Sequence, residues 1–234
     1  MRFQGPVEEG RFLSRPNRFL TYVEVDGVTR ACFCSNPGRM PEFLEPGRPV
    51  LVGPRIGGQQ GPTTHVHLAF RHNGAWVGID TRIPGRLFLE GFAAGKFPFL
   101  QGYTEVQPEV TFGASRFDFL LKGEGLPPCF VEVKNCTLVT DGLAQWPDAP
   151  SERGAKHLRE LALARKQGYR AVVLWIVQRG DARLLTPFEE RDPDFAKAVR
   201  LAAKRGVEAY AWGSRVTRAG VTLGKEVPVD LGPP

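Results

Sequence analysis

The sequence predicts an α+β/α/β molecule in two parts, a small, partly open β-barrel over residues 1–80 followed by an α/β domain over residues 81–234. Three observations carry this. The first 80 residues hold short alternating apolar–polar runs broken by turn residues, with no helical stripe, which is the pattern of short antiparallel strands. Beyond residue 80, helical and strand periods alternate, the mark of an α/β unit. One of those strands, Ala171-Val172-Val173-Leu174-Trp175-Ile176-Val177, is apolar on both faces, so it belongs in the middle of a sheet covered by helices.

In chain order, Phe19 to Val25 alternates, Asp26-Gly27 turns the chain and Val28 to Cys34 returns it. Asp-Gly between alternating runs is a strong hairpin signal. Pro49 to Gly53, Thr64 to Phe70 and Ala75 to Ile79 read as three more strands. About five strands in this length fit a barrel of the oligonucleotide-binding (OB) type, although a small sandwich has a similar signature. Arg55 to Thr64, rich in Gly, Gln and Pro, is expected to be a mobile loop.

Pro84 to Ala94 reads as a helix leading into the second part. Ser115 to Leu121 and Phe130 to Lys134 then alternate on either side of the turn Lys122-Gly123-Glu124-Gly125-Leu126-Pro127-Pro128, which closes them into a hairpin. A helix is expected from about Glu152 to Lys166, with Ser151 as N-cap and Gly168 as its stop. Its buried stripe is Ala155, Leu158, Leu161 and Ala162. Asp192-Pro193 opens another helix to about Lys204, with proline at the first helical position. Val207 to Ala211 reads as a short strand and the remainder as an irregular β tail. Hairpin-borne acids followed by a basic helix and a buried strand match the plan of a restriction-endonuclease-like domain.

Composition narrows the function classes. The chain is 42% hydrophobic and 24% charged, ordinary for a soluble globular protein. Its longest clean apolar run, Ala171 to Val177, is too short to span a bilayer, and the first residues lack the apolar stretch of a signal peptide. Four cysteines in a chain this long make no disulfide framework, so a reducing, cytoplasmic setting is expected. Cys32, Cys34, Cys129 and Cys136 include no CxxC pair, which argues against zinc. The net charge of +6 suits a polyanionic partner. Arginine dominates, 23 against 8 lysines, and grips phosphate with a planar fork; codon bias in a GC-rich genome gives the same ratio. Arg11, Arg15 and Arg18 lie among Phe12, Phe19 and Tyr22. Such a mixture tracks and stacks on nucleic acid, or is simply a solvated barrel surface.

The hairpin carries the sharpest chemistry. Folded symmetrically about Gly125, it places Asp118 opposite Glu132, with Cβ atoms about 4.5–5.5 Å apart. Two carboxylates that close repel unless a cation sits between them. Glu132 and Lys134 share a strand face. Two acids and an amine can hold Mg²⁺ or Mn²⁺ and orient a water for attack on a phosphodiester. An amphipathic hairpin with a wet polar face shows the same pattern. Lys156 on the following helix is a phosphate contact or a surface lysine, and His157 an acid/base group or a structural one. His65-Val66-His67, with His72 nearby, reads as a transition-metal site or, better, a solvated strand.

Longer segments resemble a known family. Pro108-Glu109-Val110-Thr111-Phe112-Gly113, Ser115 to Phe119, Phe130 to Leu138 and Trp146 to Leu161 resemble the sugar fermentation stimulation protein family (SfsA), as does Cys34-Ser35-Asn36-Pro37-Gly38-Arg39-Met40. In that last segment Ser35 replaces the family's usual proline and Pro37 its usual threonine. The resemblance implies an OB-like domain joined to a nuclease-like domain of the PD-(D/E)XK class, DNA binding without marked sequence preference, and a role in regulating sugar catabolism. It puts Glu109, Asp118, Glu132 and Lys134 on the acidic and basic positions of the nuclease signature. The expected nucleic-acid contacts are Arg11, Arg15, Arg18, Arg39, Arg116, Arg153 and Lys156.

Two readings follow. In one, the protein is a Mg²⁺-dependent nuclease: Asp118 and Glu132 hold the metal, Glu109 is a third carboxylate or stands behind them, and Lys134 orients the water or balances transition-state charge. In the other it is a DNA-binding regulator that cuts nothing, since a scaffold outlives its function. A protein that only binds DNA has no need of opposed carboxylates facing an anion. DNA is the expected partner and a membrane is not. A nuclease of this class often pairs with a second copy to cut two strands.

Overall fold

The computed structural model describes residues 1–56 and 63–233. The first sheet holds β1 (Glu8–Asn17), β2 (Leu20–Val25), β3 (Val28–Phe33), β4 (Pro49–Pro54), β5 (His65–His72) and β6 (Ala75–Gly78), in the order β3-β2-β1-β4-β5-β6. A parallel pairing of Cys32 with His65 and Phe33 with Val66 joins β3 to β5 and closes β1–β5 into the expected OB-like barrel. Asp26 and Gly27 have φ of 51° and 75°, the positive pair that a two-residue hairpin turn requires.

β1 has no counterpart in the sequence reading, and Gly10 is the reason. It is a buried position where a Cβ would meet Glu24 O at 2.5 Å, so the alternation lacks an apolar residue where the barrel is tightest. Residues 57–62 of the expected mobile loop lie outside the described residues. The histidines part ways. His67 is fully buried against Thr21, and burial pushes its pKa down to about 3. His65 meets Arg30 and Glu8 instead. The solvated strand expected there is half core.

The second part contains α1 (Ile83–Ala93), β7 (Glu105–Phe112), β8 (Ser115–Lys122), β9 (Cys129–Cys136), β10 (Val139–Thr140), β11 (Leu143–Trp146), α2 (Glu152–Lys166), β12 (Arg170–Val177), β13 (Leu184–Pro187), α3 (Pro193–Lys204), β14 (Glu208–Thr217) and β15 (Gly220–Val227). Its main sheet runs β15-β14-β12-β9-β8-β7, with β9, β12 and β14 parallel. β12 is central and buried from Ala171 to Val177. On one face Leu158 and Leu161 of α2 and Phe195 and Val199 of α3 pack on Phe117, Phe130 and Trp175. On the other, Leu87 and Phe88 of α1 and Leu51 and Leu68 of the barrel pack on Phe119, Val131 and Leu174. The barrel therefore covers the sheet and the two parts share a core.

The irregular tail expected after Ala211 is instead mostly a hairpin: β14 runs on to Thr217 and pairs antiparallel with β15, with one register shift between Trp212 and Ser214. β15 is an edge strand with several exposed side chains, which dilutes its apolar signal. Among the described residues no helix is long and apolar enough to cross a membrane.

Candidate active site

The site lies where β8 and β9 part. Their register pairs Phe119 with Val131, Leu120 with Phe130 and Leu121 with Cys129, centred on Gly125 as expected. The ladder stops there, so Asp118 and Glu132 occupy the next row without facing each other as a ladder pair. Phe117 and Phe119 pack on opposite faces of the sheet although they are two residues apart, so β8 twists through Asp118. On its other side β7 kinks. Pro108 and Val110 pair with Phe119 and Phe117, while Glu109 between them has φ +53°. A non-glycine residue in that region is strained by roughly 1–2 kcal/mol, and such strain gathers at functional sites. Freed from both neighbours, Asp118 Oδ2 accepts the Val133 N–H at 2.7 Å.

Glu132 is 3% exposed. Its Oε1 accepts from Lys134 Nζ at 2.6 Å and from His157 Nδ1 at 2.5 Å. Its Oε2 is buried and has no partner among the described residues. Arg153 Nε donates to His157 Nε2 at 3.4 Å, which puts the imidazole proton on Nδ1, toward Glu132. The two carboxyls are driven apart. Burial, and then repulsion from Glu132, push Asp118 up to about 6. Burial pushes Glu132 up as well, but His157 and Lys134 outweigh it and hold the group below its usual value.

Glu109 does not join them. It is exposed and lies 3.5 Å from Arg116, and among the described residues no three His, Cys, Asp or Glu side chains form a cation cage. Two carboxylates still suffice for a hard cation such as Mg²⁺, which keeps several waters, and the orphaned Oε2 of Glu132 is an oxygen donor awaiting a partner. A 330 Å³ cavity opens beside Asp118, lined by Glu109, Arg82, Gly85 and Asn135. The four cysteines are free and buried, and burial pushes Cys32, Cys129 and Cys136 up to about 12, so they are poor thiolate ligands.

The basic residues divide into two groups. Arg116, Arg153 and Lys156 line one 810 Å³ groove along the start of α2, joined by Arg159 and by the acids Glu152, Asp192 and Asp194. Lys156 Nζ donates to Ala114 O there. Arg11, Arg18 and Arg39 are exposed on the barrel. Arg15 is turned inward and donates to the carbonyls of Arg18, Asn36, Gly38 and Arg39, so it fastens the 36–39 loop and offers little to a phosphate. The sequence leaves His157 between an acid/base and a structural role, and it does not point to Arg82 at all. His157 falls on the buried stripe between Gly154 and Leu161, and a histidine at that spacing was the available signal. Arg82, held by Asp80, meets Asp118 only in the lining of one cavity, a placement that left no local trace.

A family profile described as the sugar fermentation stimulation protein RE domain matches residues 82–220, and one described as the SfsA N-terminal OB domain matches residues 13–79. The sugar fermentation stimulation protein homolog of Moorella thermoacetica is 44% identical over 220 residues, covering 94% of this chain and 95% of its own. That of Caldanaerobacter subterraneus is 39% identical over 232 residues, covering 99% and 100%. A solved structure, Pyrococcus furiosus SfsA in complex with Ca²⁺, is similar at a TM-score of 0.90 and 30% identity over 98% of both chains.

Proposed function

The chain belongs to the sugar fermentation stimulation protein family, and from the geometry of its site we propose that it binds DNA without marked sequence preference and hydrolyses phosphodiesters with a divalent cation, Mg²⁺ or Mn²⁺. One observation carries this reading: the buried, partnerless Oε2 of Glu132 beside a carboxylate, Asp118, that burial and repulsion have pushed up to about 6. A cation relieves both. The Ca²⁺ in the Pyrococcus furiosus relative supports it, being a hard oxygen-seeking ion of the same class.

Asp118 and Glu132 would hold the cation, which when bound supplies Lewis-acid polarisation and a more acidic water. Glu109, which lines the cavity beside Asp118, would stand behind them. Lys134 spends one of its three N–H bonds on Glu132, and the others are available to a water or a phosphoryl oxygen. The groove of Arg116, Arg153 and Lys156 would carry the DNA backbone, with Arg11, Arg18 and Arg39 meeting it on the barrel. Cutting both strands would need a second copy or a second encounter.

The outward turn of Glu109 favours the other reading, a DNA-binding regulator on a nuclease scaffold. Labelled single- and double-stranded DNA incubated with Mg²⁺ or Mn²⁺ decides between them. Cutting by the wild type, lost in Asp118→Asn and Glu132→Gln while DNA affinity holds, is the expected result. Salt-sensitive binding by all three proteins with no cutting would refute the enzyme.

A further inference from the structure

We propose that His157 is a positioning residue for the cation site: from α2 it pins Oε1 of Glu132 and leaves Oε2 as the one oxygen free to meet a cation. The inference rests on the cation reading above and extends it to a residue 25 positions away in the chain.

A carboxylate offers two oxygens, and a free one presents either. In Glu132 that choice is removed, because both donors converge on Oε1. The donors differ in stiffness. Lys134 reaches Glu132 on a flexible four-carbon stem. His157 is a rigid ring on a helix, 4% exposed, set edge-on to Phe117 at 5.8 Å and 81°. Behind it Arg153 occupies Nε2, which commits the proton to Nδ1 and the donor to Glu132. The helix is itself anchored at its start, where Ser151 Oγ accepts the Gly154 N–H at 3.0 Å. The orientation of a buried strand carboxylate is thereby set by a helix docked on the sheet. Ligands aimed by such partners hold metal more tightly, and removing the partner typically weakens binding about 10–100-fold.

Mn²⁺ titration of the full chain without DNA, followed by electron paramagnetic resonance or calorimetry, tests this. His157→Leu removes the donor and keeps much of the bulk. His157→Asn restores an N–H where Nδ1 stood, whereas His157→Gln places its amide where Nε2 stood. His157→Leu and His157→Gln should bind Mn²⁺ about 10–100-fold more weakly than wild type, and His157→Asn should recover most of the loss. Thermal unfolding in EDTA establishes which variants fold. If His157→Leu does not fold, the Asn–Gln comparison decides alone. Wild-type affinity in a folded His157→Leu, or equal affinity in Asn and Gln, overturns the positioning role while the cation site stands. Absence of Mn²⁺ binding by the wild type overturns the cation site, and the positioning role with it.

Discussion

At the scale of single residues, Asp118 and Glu132 respond oppositely to their surroundings. Glu132 is buried and Asp118 half-buried, but only Glu132 has a histidine and a lysine on it, so its pKa falls while that of Asp118 rises to about 6. A folded pKa raised above the unfolded value means that Asp118's contribution to stability is fully present below pH 3.8 and is lost as pH rises through about 6. The rise of about two pKa units corresponds to about 3 kcal/mol. Asp118→Asn keeps the acceptor for the Val133 N–H and carries no charge. In EDTA it should match the wild type near pH 4 and exceed it at pH 8 by up to about 3 kcal/mol in urea unfolding. A variant no more stable than wild type at pH 8 would mean that the carboxylate is not strained by its setting. Glu132 has the opposite sign. Its contribution is present above its unfolded pKa and is lost as pH falls through the folded one.

At the scale of elements, the starts of α2 and α3 are tied to one carboxylate. Asp192 Oδ1 accepts the Phe195 N–H at 2.9 Å and caps α3, while its Oδ2 accepts the Ser151 N–H at 2.8 Å. Ser151→Ala should lose about 1 kcal/mol, the usual value of an N-cap. Asp192→Ala orphans two N–H groups at a buried site and should lose roughly 2–4 kcal/mol. Equal losses in chemical denaturation would show that the second bond contributes nothing. These caps were legible in the chain because a cap is a contact between residues three apart. β12 was legible because it is apolar throughout. β1, β7 and β15 were not: Gly10 empties the inward pattern of β1, Pro108 interrupts β7, and all but the inner side chains of β15 face water. The strand that kinks to turn Glu109 outward is thus one that periodicity hides.

At the scale of the whole molecule, the barrel and the sheet share one core, and the basic side chains gather in two places. The α2 groove brings together Arg116, Arg153 and Lys156 beside His157. If these carry the DNA backbone, replacing all three with alanine lowers the slope of log affinity against log salt by up to about 3, at roughly 0.9 per phosphate contact on duplex DNA. An unchanged slope would move the interface to the barrel and to Arg11, Arg18 and Arg39. Arg15→Ala should leave the slope alone, because its guanidinium is committed to four loop carbonyls.

The amino-acid sequence by itself determined the hairpin register about Gly125, the capped helices, the central β12, and the two strands that carry Asp118, Glu132 and Lys134. Each is written in period or in contacts between near neighbours. Only the tertiary structure decided that the β8–β9 ladder stops one row short, that Glu109 faces solvent, that Arg15 faces inward, and that His157 saturates one oxygen of Glu132 and leaves the other bare. Those outcomes depend on burial and on through-space contacts between residues far apart in the chain, and no local pattern encodes which of two buried oxygens a helix will reach.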